Sequence, residues 1–204
     1  MIPFRLYVIS DRRRMGIDPV ATALAALTGH QAALQWREKD LPESALRPDL
    51  ERLRPHLAPE HLFLNGAVDL AAELGLSVHL PESGITVTSA RERLGPNARV
   101  GRSVHSLASA LETARAGADF VTFGPVYDTP SKRLFGPPQG IARLAEVCTS
   151  CPLPVFALGG VTLARVDDCR SAGAFGIAAI GAIWDAPDPS VAIAAFQERL
   201  LPWS

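Results

Sequence analysis

The sequence predicts a single α/β domain over residues 1–204, a closed barrel of eight parallel βα units. Three observations predict it. Short apolar, β-favouring runs recur eight times, each followed by a helix-compatible stretch. The repeat averages about 25 residues, near the small end for a barrel of this kind. Polar and charged residues collect where the early runs end, and glycines where the last two end. Chemistry and anion binding sit at those strand ends in such a barrel.

The runs at 5–10, 33–37, 61–65 and 77–80 make the first half, and those at 99–104, 120–124, 155–159 and 176–181 the second. Alanine- and leucine-rich segments at 19–27, 68–74, 107–116, 141–147, 163–172 and 190–200 supply helices between them. Ala116-Gly117-Ala118-Asp119 and Ala172-Gly173-Ala174-Phe175 each read as a glycine-capped helix end followed by quick entry into the next strand. No linker-like stretch divides the chain, so the expectation is one (βα)8 TIM barrel. The long insertion from Pro125 to Gly140 follows the sixth run and carries Ser131-Lys132-Arg133 among prolines and glycines. A loop of that length is a lid or binding loop, or a surface loop with incidental charge.

Composition bounds the function. The chain is 48% hydrophobic and 20% charged with a formal net charge of −1, ordinary for a globular domain with a large core. Arg12-Arg13-Arg14 is too short a cluster for a polymer-binding face, so no nucleic-acid partner is expected. No apolar run reaches the roughly 18 residues of a membrane span, and the N-terminus is charged too early for a signal peptide, so the expectation is a cytoplasmic protein with no membrane partner. Cys148, Cys151 and Cys169 are odd in number, and Cys148-Thr149-Ser150-Cys151 falls where a helix ends, so packing is expected of them rather than redox or metal work. The sequence names no pairing surface and leaves a homo-oligomer open.

The strand ends nominate the site. Gln35, Arg37 and Lys39 alternate, so a continuing strand directs all three to one face. Two cations and an amide there suit a carboxylate or phosphate, with an ion-pair network at the rim as the plainer reading. Gly159-Gly160 and Gly181-Ala182, after the last two strands, offer backbone N–H groups to a phosphate. Among the histidines, His30, His56 and His61 lie at element boundaries and are expected to be solvated. His79 is equally a satisfied core residue or a site residue. His105, at a strand end after Ser103, has the best position for a group that takes and gives a proton, a task that suits histidine as a residue type because an unperturbed imidazole titrates at about 6.5. The residues by themselves suggest proton transfer on a small phosphorylated substrate.

Four segments carry a resemblance: Tyr7-Val8-Ile9-Ser10-Asp11, Gln35-Trp36-Arg37-Glu38-Lys39, Phe123-Gly124-Pro125-Val126-Tyr127 and Ala157-Leu158-Gly159-Gly160-Val161. In that order, and nearly end to end, the chain resembles the thiamine phosphate synthase/TenI superfamily. The resemblance implies a (βα)8 barrel and a role in making thiamin. It also divides in two. Synthases join a hydroxymethylpyrimidine diphosphate to a thiazole phosphate with Mg²⁺, through acidic residues at the ends of strands three and four. Here those places read Asn65-Gly66 and Leu80-Pro81-Glu82-Ser83. The resemblance at these points is to the TenI-type thiazole tautomerases, isomerases that aromatise a carboxythiazole phosphate without cofactor.

The expectation is therefore a thiazole tautomerase whose partner is a small phosphorylated thiazole. The resemblance then makes His105 the proton shuttle, with Arg37 and Lys39 facing the carboxylate. Gln35, Asn65 and Ser103 are expected to bind the substrate, together with Thr129, Ser131 and Lys132, which resemble the synthases' diphosphate-binding loop. Gly159, Gly160, Gly181 and Ala182 are expected to hold the phosphate. Two alternatives stand beside this reading: a Mg²⁺-dependent thiamine phosphate synthase, and a non-catalytic thiazole phosphate-binding regulatory protein.

Overall fold

In the computed structural model, which describes residues 1–129, 133 and 136–201, eight strands close into one parallel barrel in sequence order. They are β1 (Leu6–Ile9), β2 (Ala32–Trp36), β3 (Leu62–Asn65), β4 (Ser77–Leu80), β5 (Val100–Val104), β6 (Phe120–Phe123), β7 (Val155–Leu158) and β8 (Gly176–Ala179). The last returns to the first, Tyr7 pairing with Ala178 on β8 and with Ala33 on β2. The helices between them are α1 (Pro19–Leu27), α2 (Glu43–Leu53), α3 (Val68–Leu74), α4 (Val87–Leu94), α5 (Leu107–Arg115), α6 (Gly140–Ser150) and α7 (Val166–Ser171), with α8 (Gly181–Trp184) and α9 (Pro189–Leu200) after β8. No helix among the described residues is long and apolar enough to cross a membrane.

Apart from Arg102 and Ser103 on β5 and the last residues of β3 and β7, the strands are buried on both faces, which is why most of them read as largely apolar runs. The side chains nevertheless alternate between two cores. Leu6, Val8, Leu34, Trp36, Val78, Leu80, Val121 and Phe123 face the helices. Phe4, Tyr7, Ile9, Ala33, Phe63, Phe120 and Phe156 fill the barrel. Their rings meet edge to face, Tyr7 to Phe63 and Phe120 each at 5.3 Å between centroids. Such pairs contribute about 0.5–1.5 kcal/mol each beyond area burial. Toward the C-terminal strand ends the interior turns polar, with Gln35, Asn65, His79, Ser103 and Thr122 following the aromatic layer in the same alternation. Gly101 makes room for it: a Cβ there would lie 2.7 Å from His79 Nδ1 and would overlap the Phe120 ring.

Several expectations need correction. The helices after β2 and β4, to which the sequence assigns no bounds, are α2 and α4. Pro48 lies inside α2, yet Leu46, Leu50 and Leu53 are buried, so packing overrides the weak local preference. The helix expected over 163–172 is a 3₁₀ turn (Leu163–Arg165) followed by α7. The eighth strand stops at Ala179, and Gly181 opens α8 instead of ending the strand. His30 is not simply solvated, because its ring nitrogens bond to Gln197 Oε1 at 2.9 Å and Ser190 Oγ at 3.0 Å on α9. The three cysteines are free thiols. Burial pushes Cys148 up to about 12 and Cys169 up to about 11, so neither is a ready thiolate.

Candidate active site at the C-terminal strand ends

The barrel brings the nominated residues from β2, β3, β5, β7 and β8 to one mouth, with His79 directly beneath it. At its floor lies the polar layer. Gln35 Nε2 donates to Asn65 Oδ1 at 2.9 Å, and His79 Nε2 lies 3.1 Å from Ser103 Oγ and 3.3 Å from Thr122 Oγ1. Burial, and then the nearby Arg37 cation, pull His79 down to about 3. It is therefore a neutral imidazole at physiological pH, a satisfied core residue on one nitrogen. Its Nδ1 and the Tyr7 hydroxyl have no hydrogen-bond partner among the described residues.

Above the layer, Arg37 continues the interior alternation of Ala33 and Gln35. Its guanidinium is half-buried and makes no ion pair among the described residues. Burial disfavours its charge, and the Asp11 and Glu38 carboxylates act against that. A polar clamp fixes the backbone here. Ser10 Oγ accepts from the Arg37 N–H at 2.8 Å and donates to Glu38 Oε1, while Glu38 Oε2 accepts from the Arg12 N–H at 3.0 Å. Ser10 and Glu38 are both buried, and burial pushes the Glu38 carboxyl up. Both lie at strand ends where site residues are expected, and the structure gives them the clamp rather than a rim ion pair. Lys39 is exposed on the loop beyond.

His105 Nδ1 bonds the Gly124 carbonyl, so the proton sits on Nδ1 and the Nε2 lone pair is available. Glu82 faces it: Oε1 accepts from the His105 N–H at 3.0 Å and from Ser109 Oγ at 2.9 Å, and Oε2 lies 3.8 Å from His105 Nε2. This carboxylate secures the turn from β5 into α5.

The glycine turn after β7 interlocks with the loop after β6. Val126 N–H donates to Leu158 O at 2.8 Å and Tyr127 N–H to Gly159 O at 2.9 Å. Gly160 has φ +65°, and a Cβ there would meet Asp128 O at 2.6 Å and Tyr127 Cβ at 2.8 Å. Arg165 braces the turn, donating to Gly160 O at 2.6 Å while its guanidinium lies 4.3 Å over the Tyr127 ring. Gly181 and Ala182 open α8, where first-turn N–H groups have no intrahelical acceptor. Arg14 ties the loops after β1 and β8 together through Asp11 at 2.9 Å and Asp185 at 2.5 Å. Thr129 lies on the loop after β6. Ser131 and Lys132 fall outside the described residues.

The Mg²⁺ implied for the synthase branch has no fitting donor set. Gly66 offers no side chain, Asn65 already accepts from Gln35, and Pro81 Cδ lies 3.9 Å from where a Gly66 Cβ would be. Glu82 is committed to His105 and Ser109. Among the described residues no group of three or more His, Cys, Asp or Glu could hold a metal.

Against known proteins, residues 6–183 match the family model described as "Thiamine monophosphate synthase". A "Thiamine-phosphate synthase" of Anaeromyxobacter dehalogenans is 41% identical over 94% of this chain and 86% of its own. A Geobacter sulfurreducens protein, 42% identical over 92% of this chain and 90% of its own, carries that name provisionally. Thiamine phosphate pyrophosphorylase from Pyrococcus furiosus superposes with a TM-score of 0.86 at 29% identity, over 98% of this chain and 96% of that one. These relatives overturn the tautomerase expectation. That expectation leaned on Asn65-Gly66 and Leu80-Pro81, and the backbone accounts for the glycine: Gly66 has φ +75°, a turn conformation that glycine enters without strain.

Proposed function

The chain belongs to the thiamine monophosphate synthase family, and from that premise we propose that it is a thiamine-phosphate synthase. It joins a hydroxymethylpyrimidine diphosphate to a thiazole phosphate and releases diphosphate. The observation that carries the reading is the likeness to thiamine-phosphate synthases along nearly the whole chain. The mouth agrees with two phosphorylated substrates, because it offers anions two separate holds. One is the Arg37 guanidinium after β2, and the other is the pair of glycine turns after β7 and β8.

In the joining step the thiazole nitrogen lone pair forms a C–N bond to the pyrimidine methylene carbon. The C–O bond to diphosphate breaks, and its electron pair leaves on the diphosphate oxygen. The attacking nitrogen carries no proton, so the step asks for orientation and charge stabilisation rather than a base. Arg37 faces the departing negative charge. The N–H groups of Gly159, Gly160, Gly181 and Ala182 hold the thiazole phosphate, and Gln35, Asn65 and Ser103 orient a ring above the aromatic core. His105, held by Gly124 and Glu82, presents Nε2 to the bound pair as a positioned polar group. No step runs through a metal, because the donor set does not fit one.

The test is thiamin phosphate formation from the two precursors, followed chromatographically over a series of Mg²⁺ concentrations. Product requiring both precursors supports the reading, and its absence under every condition refutes it.

A further inference from the structure

The rim where strands β2, β3 and β4 end lacks, among the described residues, the acidic pair that a divalent cation needs and carries a cation that makes no ion pair among them. The other arginines of the neighbouring loop are matched: Arg12 and Arg13 reach Asp40 at 3.5 and 3.3 Å, and Arg14 reaches Asp11 and Asp185. Arg37 is the exception among them, and it is the one that faces into the barrel mouth. The carboxylates near it are engaged elsewhere, Asp11 by Arg14 and Glu38 by Ser10 and the Arg12 N–H. A half-buried guanidinium with carboxylates nearby but no direct ion pair is costly unless an anion completes it. The ends of β3 and β4 beside it present Gly66 and Pro81, which bind no cation, and Glu82 turns toward α5.

We infer that this chain holds the diphosphate of its substrate through Arg37, with no divalent cation ligated by its own side chains. The inference rests on the synthase reading and deepens it. A guanidinium can replace part of what a metal supplies, because its paired N–H donors match two phosphate oxygens and its charge is permanent. The Ser10–Glu38 clamp fixes the strand end from which it projects, so it is in place before the anion arrives. As the C–O bond breaks, the charge appearing on diphosphate develops against Arg37.

The test is calorimetric titration with inorganic pyrophosphate, in EDTA and in Mg²⁺, on the intact chain and on Arg37→Met. Orthophosphate serves as the probe of the glycine turns, and Mn²⁺ electron paramagnetic resonance reports metal on the protein alone. Pyrophosphate is expected to bind in EDTA within about threefold of its affinity in Mg²⁺. Removing the charged, hydrogen-bonding partner in Arg37→Met is expected to weaken it by about 10- to 100-fold. Orthophosphate should stay within about twofold in that variant, and the Mn²⁺ signal should remain that of the free ion.

Pyrophosphate binding only with Mg²⁺, or capture of one Mn²⁺ per chain, overturns the inference while thiamin phosphate formation leaves the synthase reading standing. An Arg37→Met variant that binds pyrophosphate normally, or loses both anions equally, also overturns it. No pyrophosphate binding in either buffer, with no product from the two precursors, overturns the inference and the synthase reading together.

Discussion

Replacing Gly160 by alanine separates two costs that the structure superimposes at the turn after β7. The first is conformational: φ +65° places a Cβ against the following carbonyl, at about 1–2 kcal/mol for an L residue. The second is steric, since the new Cβ would lie 2.6 Å from Asp128 O and 2.8 Å from Tyr127 Cβ. Overpacking of that kind costs about 1–3 kcal/mol. Gly29 isolates the first cost, because its φ is +81° and nothing lies within 4 Å of its Cβ position. Gly29→Ala should therefore lose about 1–2 kcal/mol and Gly160→Ala about 2–5 kcal/mol in urea unfolding at neutral pH. The excess should also appear at the mouth. Displacing Gly160 moves its N–H, so orthophosphate affinity should fall about tenfold or more in Gly160→Ala and stay unchanged in Gly29→Ala. Equal destabilisation of the two variants, or normal orthophosphate binding by Gly160→Ala, refutes the account of an interlocked, phosphate-holding turn.

Two further outcomes follow from the polar layer and its rim. His79 titrates near its ordinary value when unfolded but at about 3 when folded. The unfolded chain therefore binds the extra proton first, and stability present above about pH 6.5 declines as pH falls toward 3, by at most about 1.4 kcal/mol per pH unit from this group. His79→Gln should flatten that slope in unfolding curves taken from pH 7 to 5, and an unchanged slope would deny that His79 is buried neutral. Ser10→Ala should cost about 1–3 kcal/mol by leaving the Arg37 N–H and a buried Glu38 oxygen short of a partner. It should also weaken pyrophosphate binding, and loss of stability with pyrophosphate affinity intact would show that the clamp does not position Arg37.

Much of the architecture was legible because it is local. A strand buried on two faces is mostly apolar, and eight such runs at short intervals leave few alternatives to a barrel. The helix starts were equally readable where a side chain caps them, as Ser106 does by accepting from the Ser109 N–H at 3.1 Å before α5. The bounds of α2 were not legible, because Pro48 speaks against a helix locally and the burial of Leu46, Leu50 and Leu53 depends on the sheet beneath. The branch assignment failed for a related reason. Two dipeptides were read as functional markers, and one of them is a turn whose backbone angle alone favours glycine.

The sequence by itself determined the parallel barrel, the alternation that turns Gln35 and Arg37 inward, and the glycines after the last strands. Each of these is written in periodicity or in a residue's own conformational range. Tertiary structure alone decided which charges are spent and which are left over. Arg14 meets Asp185 across 171 positions of sequence, Glu82 is taken by His105 and Ser109, and Arg37 is left facing the mouth with no ion pair among the described residues. Those pairings are set by closure of the barrel, which brings distant strand ends within a few ångströms, and Coulomb energies and hydrogen bonds depend on that distance rather than on separation along the chain.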